Sequence, residues 1–202
     1  MTKWMLFLAG LLLCAATGYA QESRMDASVS YAGFFPRDVN ANTVHETSTI
    51  GDVGLLASYR YLVTPHIALE GNYGWDRDIF KYSSGVNDTR VHTQFQEGSA
   101  EAVYSAFAWH NFYPFVEGGI GGYLFGIIND NKTNYEGLKS NTAIGIPYGG
   151  GVAYEISPSF DIRVEYRGIV VKAPDFSAPS AFTHTGRYTN ISNPVVGVAY
   201  HF

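Results

Sequence analysis

The sequence predicts an all-β fold, an eight-stranded antiparallel up-and-down transmembrane β-barrel, and three observations predict it. Apolar and polar residues alternate with a period of two in eight separate stretches, the mark of strands with one apolar face. The connections between those stretches alternate long and short, as they do in barrels with short turns on one side of a membrane and long loops on the other. The chain also ends on such a stretch, Val195-Val-Gly-Val-Ala-Tyr-His-Phe202. An apolar terminal strand invites aggregation unless it pairs with the first strand and closes a barrel whose apolar face meets lipid.

The first twenty residues are set apart. Lys3 precedes an apolar run from Trp4 to about Ala16, and Gly18 and Ala20 stand at the small-residue positions of a cleavage site. Residues 1–20 therefore read as a cleaved signal peptide and residues 21–202 as the barrel domain. Leu13 stands before Cys14 where lipidation wants a small residue, so a plain leader is preferred. Cleavage leaves 182 of 202 residues, one domain by length, with 12 basic and 18 acidic side chains and a net charge of −6. No basic stripe points to nucleic acid. Without Cys14 there is no cysteine for disulfides or thiolate metal sites. Mean hydropathy is −0.05, yet no mature stretch approaches the ~20 apolar residues of a spanning helix.

The elements follow in order. Strand one covers about 27–35, with Val29, Tyr31 and Phe35 opposite Ser28 and Ser30, and a polar loop of about a dozen residues follows it. Strand two, about 49–61, carries Val53, Leu55, Ala57, Tyr59 and Tyr61 on its apolar face, with Leu56 the exception opposite. Thr64-Pro65 reverses the chain into strand three, where Ile67, Leu69, Tyr73 and Trp75 alternate with Ala68, Glu70, Asn72 and Asp76. From Arg77 to about His92 the pattern dissolves into a second long loop.

Strand four, about 94–108, puts Glu97 and Glu101 on one parity with Ser99 and Val103, and the chain turns near Trp109-His-Asn-Phe112. In strand five, about 113–127, Val116, Ile120 and Leu124 oppose Glu117, Gly119, Gly121 and Tyr123. A third long loop spans 129–141 and strand six about 143–156. After Ser157-Pro158, strand seven sets Phe160, Ile162, Val164 and Tyr166 against Asp161, Arg163, Glu165 and Arg167. A fourth long loop, about 170–187, leads to the closing strand from Tyr188.

Alternation alone also fits a soluble barrel with an apolar interior. The second face decides: Gly, Ser, Ala and charges of both signs suit a narrow eight-stranded lumen. Aromatics gather in two bands, Tyr59, Tyr61, Trp109, Phe112, Phe160, Tyr200 and Phe202 by the turns, and Phe35, Tyr73, Trp75 and Tyr148 by the loops. Two bands are the interfacial girdles of a membrane barrel.

Residues 145–167, Gly-Ile-Pro-Tyr-Gly-Gly-Gly-Val-Ala-Tyr-Glu-Ile-Ser-Pro-Ser-Phe-Asp-Ile-Arg-Val-Glu-Tyr-Arg, resemble the OmpA-like transmembrane domain. Pro114-Phe-Val-Glu-Gly-Gly-Ile-Gly121 and the terminal Tyr-His-Phe are similar to the same broad grouping of bacterial outer-membrane barrels. The resemblance implies insertion in the outer membrane as a monomer, among outer-membrane lipid and lipopolysaccharide. It also implies that periplasmic chaperones and the barrel assembly machinery handle the chain, with Val198, Tyr200 and Phe202 as the assembly signal. The family's separate peptidoglycan-binding domain has no counterpart here, so tethering is not expected.

Charge concentrates on the polar face: Arg60, Arg163 and Arg167 with Glu70, Glu101, Glu117, Asp161 and Glu165. Isolated charges in a narrow lumen are costly, so these should pair across it as a static filling. The resemblance implies a sharper alternative, a small gated pore. Arg163 matches a lumenal arginine that exchanges acidic partners, here expected to be Glu101 and Glu117, although no lumenal lysine competes with it.

A lipid A-modifying acyl hydrolase is the second alternative, since outer-membrane barrels of this size include such enzymes. His184-Thr-Gly-Arg187 and Tyr188-Thr-Asn-Ile-Ser-Asn193 are faintly similar to the deacylases, but the His-x-Ser spacing is missing. No catalytic residue is assigned. His92, Glu97 and His110 are not spaced as a metal site, and the glycine runs at 118–122 and 149–151 open no helix that could cradle phosphate, so no metal or cofactor is expected. The sequence therefore points to a non-catalytic outer-membrane protein with a structural or surface-interaction role and at most minor passive permeation.

Overall fold

A computed structural model describes residues 24–41, 44–48, 53–83, 88–128, 139–174, 176 and 187–202. The leader expected over 1–20 lies outside the described residues, as does His184. Eight antiparallel strands close into a barrel. They are β1 (Met25–Gly33), β2 (Val53–Thr64), β3 (Ile67–Ser83), β4 (Asp88–Tyr104), β5 (Phe112–Ile127), β6 (Asn141–Ser157), β7 (Phe160–Lys172) and β8 (Tyr188–His201). Each strand pairs with its chain neighbour, and β1 pairs with β8 from Asp26↔His201 to Ala32↔Val195. The closing octet is thus the seam partner of the first strand, which removes the free edge.

The wall is inside-out relative to a soluble barrel. Along β1, Ser28 and Ser30 are buried while Val29 and Tyr31 are 65% and 64% exposed. Ile120 (62%), Ile144 (73%) and Val164 (58%) repeat this around the wall. Such a continuous apolar surface would drive association in water, whereas lipid covers it at no cost. The turn-side aromatic band is present on that outer surface: Tyr59, Trp109, Phe112, Phe160, Tyr200 and Phe202 are all exposed. On the same face the Tyr148 ring lies over its cross-strand partner Gly168, where an added Cβ would come within 2.7 Å of the ring carbon Cε1. The glycine leaves the place that the aromatic ring fills.

The structure corrects the expected second long loop. Instead of dissolving at Arg77, β3 and β4 stay paired out to Ser83↔Asp88. Parity persists there, with Asp76, Asp78, Val91 and Thr93 buried and Arg77 and Lys81 exposed. A membrane crossing needs only ~9–11 residues per strand, so this end of the hairpin, whose two strands are 17 residues each, stands in water. Its outward side chains turn polar, and the apolar signal fades while the ladder continues. The loop after β1 is likewise structured. Val39–Ala41 pairs with Val44–Ser48, which adds to β3, and Phe35–Pro36 pairs with β8. At the opposite end the turns are short: Pro65-His66, Pro158-Ser159, and a reversal in which Trp109 and Phe112 exchange backbone hydrogen bonds at 2.9 and 3.0 Å.

Candidate functional site: a layered lumen

Inward parity brings the expected charged residues together, in two sets rather than one. β7 supplies Arg163 and Arg167 four residues apart, so both point inward at different depths. In the deeper set, Arg167 is 1% exposed, and its Nη2 lies 2.7 Å from Glu97 Oε1 and also contacts Glu101 Oε1. Its Nε lies 3.5 Å from Glu117 Oε1. Asn72 Nδ2 donates to Glu101 at 2.8 Å, and Ser99 Oγ is within 2.9 Å of both Glu97 and Glu101. One guanidinium thereby ties β7 to β4 and β5 across the lumen, and Asn72 joins β3 to the set through Glu101.

Nearer the short turns, Arg60 Nε lies 2.5 Å from Glu70 Oε2. Arg163 Nη2 lies 2.8 Å from Asp26 Oδ1, its Nε 3.2 Å from Asp161 Oδ1 and its Nη1 3.9 Å from Glu70 Oε2. His201 Nε2 completes the set at 3.0 Å from Asp161 Oδ2. Glu165 is buried on the same wall but forms no ion pair with a described residue.

The expectation that Arg163 holds Glu101 and Glu117 is therefore corrected, because both belong to Arg167. The reason is depth. Residue 167 sits four positions further toward the long loops than residue 163, level with Gly149, which in turn pairs with Glu117 on β5. Asp26, Glu97 and His201 are the members that sequence reasoning did not place in the network. Asp26 shares parity with Ser28 and Ser30, Glu97 with Glu101, and His201 with Ala199, so inward parity alone identifies all three.

Above the Arg167 set large apolar side chains join the buried Asp76, Asp78 and Thr93 inside the lumen, which the sequence reading did not anticipate. Phe34, Val91, Phe95, Tyr123, Phe125, Ile169, Val171 and Ile191 form a buried apolar cluster. The Phe95 ring centroid lies 4.6 Å from that of Phe34, 5.7 Å from Tyr123 and 5.3 Å from Phe125. Phe176, from the loop after β7, is fully buried in the same cluster, and its carbonyl accepts from Lys139 N at 2.9 Å. Leu56, the exception of β2, also points inside, in a separate buried cluster with Ala32 and Val195. Where this stopper meets the Arg167 set, a cavity bordered by Phe34, Phe95, Glu97 and Arg167 measures about 10 Å³, about the room of one water.

Among the described residues no cluster of His, Cys, Asp or Glu is arranged to hold a metal ion.

A family model described as "Outer membrane protein beta-barrel domain" matches residues 5–202. A comparison with curated protein sequences finds no match. Among solved structures, the outer membrane protein OprG from Pseudomonas aeruginosa superposes with a TM-score of 0.62 at 13% identity, covering 91% of this chain and 98% of that one. Neisserial surface protein A gives 0.61 at 14% identity over 89% and 98%. The outer membrane protein AlkL in lipid bilayers gives 0.55 at 17% identity over 92% and 94%. At these identities the likeness is one of fold.

Proposed function

Since the chain belongs to the family of outer membrane protein β-barrel domains, we propose that it serves the bacterial outer membrane as a non-catalytic scaffold. In this reading its lumen is shut and its loops carry whatever contacts it makes outside. The observation that carries it is the stacking of two layers across the lumen, the Arg167 charged set below and the buried apolar stopper above. A permeation path would need both layers to move. Buried ion pairs resist this because separating them leaves uncompensated charge in a dry interior.

Loops held on a rigid scaffold are where binding usually resides. The β3–β4 hairpin, paired to Ser83↔Asp88, is the most regular platform beyond the bilayer among the described residues. The outward aromatics suit outer-membrane lipid and lipopolysaccharide as immediate neighbours. Val198, Tyr200 and Phe202 suit the barrel assembly machinery, after delivery of a monomer by periplasmic chaperones.

The acyl-hydrolase alternative gains no support from His66 or His201. His201 is committed to Asp161 at 3.0 Å, and His66 Nδ1 meets the Ser105 backbone carbonyl at 3.1 Å. Neither contact presents a nucleophile.

Liposome swelling tests the closed scaffold. Vesicles holding the refolded protein should swell in arabinose no faster than empty ones, and faster swelling would reject it. Lipid A from cells producing the protein should keep every acyl chain by mass spectrometry, and a lost chain would restore the enzyme.

A further inference from the structure

The outer wall from β4 to β6 carries a depression of about 480 Å³, bordered by Gly98, Ala100, Ile120, Gly122 and Ile144. One row across the strands explains it. Tyr73 of β3 pairs with Gly98, Gly98 with Gly122, and Gly122 with Ile144, so two exposed large side chains flank two glycines. A Cβ added at Gly98 or Gly122 would meet nothing within 4 Å, so the space outward of both is open. The strands bearing Tyr73 and Ile144 stand three spacings apart, ~14 Å, which leaves room for an acyl chain between the two side chains.

Toward the long loops the same wall turns cationic. The outward positions of β3 run Tyr73, Trp75, Arg77, Ile79 and Lys81, while Asp76 and Asp78 are buried on the other face. Arg77 lies four residues beyond Tyr73, ~13 Å along the strand. Its guanidinium is 4.8 Å from the Trp75 ring centroid. Stacking on the ring holds the guanidinium at the aromatic band and leaves its N–H edge to an acceptor. Lys81, four residues further, is exposed and stands opposite Arg90 in register. Like charges directly opposite repel, and an anion beside them relieves this. Neither Arg77 nor Lys81 forms an ion pair with a described residue. Among the described outward positions of this hairpin Asp88 is the one acid, and Gln96 and Gln94 lie between the depression and the cations. From the bilayer upward the face therefore offers an apolar groove, two amides and cations at two heights.

We propose that this face of β3 to β6 seats one phosphorylated glycolipid of the outer leaflet. An acyl chain lies in the Gly98–Gly122 depression, one phosphate meets Arg77, and a phosphate higher on the glycan meets Lys81. Two cationic levels ~13 Å apart along the strand exceed what the single phosphate of a glycerophospholipid spans. The inference rests on the outer-membrane reading above and, lying outside the barrel, is independent of whether the lumen is shut.

The test is native mass spectrometry of the refolded full chain in detergent micelles. The probes are rough-type lipopolysaccharide, the same lipopolysaccharide stripped of its phosphates, and phosphatidylglycerol. Gly98→Leu fills the depression, and Arg77→Gln and Lys81→Gln each remove one cation. Heat-modifiable electrophoretic mobility establishes that each variant is folded, and Gly122→Leu fills the same space should Gly98→Leu not fold. One lipopolysaccharide per chain is expected, bound at least tenfold tighter than either other lipid and weakened at least fivefold by each variant. Equal or tighter binding of the stripped lipid or of phosphatidylglycerol would overturn the proposal. So would binding that Arg77→Gln weakens and Gly98→Leu does not, which reports charge attraction without a seated chain. A parent chain lacking any heat-modifiable folded form would overturn the outer-membrane reading and the seat with it, whereas failure to bind by a folded barrel overturns the seat alone.

Discussion

Arg167 on β7 and Glu97 on β4 meet at 2.7 Å across the lumen, three strands apart around the wall. That contact joins two faces of the barrel that share no backbone hydrogen bond, and Glu101 and Glu117 converge on the same guanidinium. Removing it would strand three buried carboxylates. Arg167→Met should therefore cost about 3–5 kcal/mol, read as a lower urea midpoint of unfolding from lipid vesicles. A loss below about 1 kcal/mol would show the carboxylates do not depend on it.

The reassignment of partners is tested by coupling. Arg163 is within 2.8 Å of Asp26, so a double-mutant cycle of Arg163→Ala with Asp26→Ala should show an interaction of about 1–3 kcal/mol. The same cycle with Glu101→Ala should show a far smaller one. The reverse order would return Glu101 to Arg163 and revive the exchange of partners expected from the sequence resemblance.

Phe95 contacts Phe34, Tyr123 and Phe125 at the centre of the apolar stopper. Phe95→Ala should cost about 3–5 kcal/mol as a buried cavity. It should leave solute uptake in swelling assays unchanged, because the Arg167 set still spans the lumen below. Uptake in that variant would place the barrier in the stopper alone.

Phe202 closes the seam. Its N–H donates to the Met25 carbonyl at 3.0 Å, and its ring lies 6.2 Å from that of Tyr59 and 6.1 Å from that of Tyr200. Deleting it removes one hydrogen bond and one exposed ring, a small loss to the barrel. Detergent refolding should stay near the parent level while outer-membrane abundance in cells falls severalfold, as measured by heat-modifiable mobility on isolated membranes. Equal abundance would count against a role for Val198, Tyr200 and Phe202 in assembly.

How far the sequence reaches is clear from particular residues. Within the bilayer, lipid outside and a packed lumen inside impose a strict period of two, so the faces of Val29, Glu101 and Arg163 could be read directly. Strand ends could not. Beyond the membrane the outward face of a strand meets water and turns polar, so Arg77 to His92 reads as a loop although its ladder runs on. Depth was equally hidden, because parity assigns a side of the wall and not a level. Arg163 and Arg167 read alike in sequence, and only their register against Gly149 and Glu117 assigns the acids to one of them. The stopper was missed for a related reason. Phe34 and Phe125 sit at inward positions by the ends of their strands and Phe95 midway along β4, and parity assigns an aromatic residue to the inner face without showing that several meet at one level.

Conductance of the refolded full chain in planar lipid bilayers tests the closed lumen most directly. With the Arg167 set and the aromatic stopper stacked across the lumen, the membrane current should remain at the bare-bilayer baseline across the voltage range. Reproducible unitary steps from the unmodified protein would contradict it.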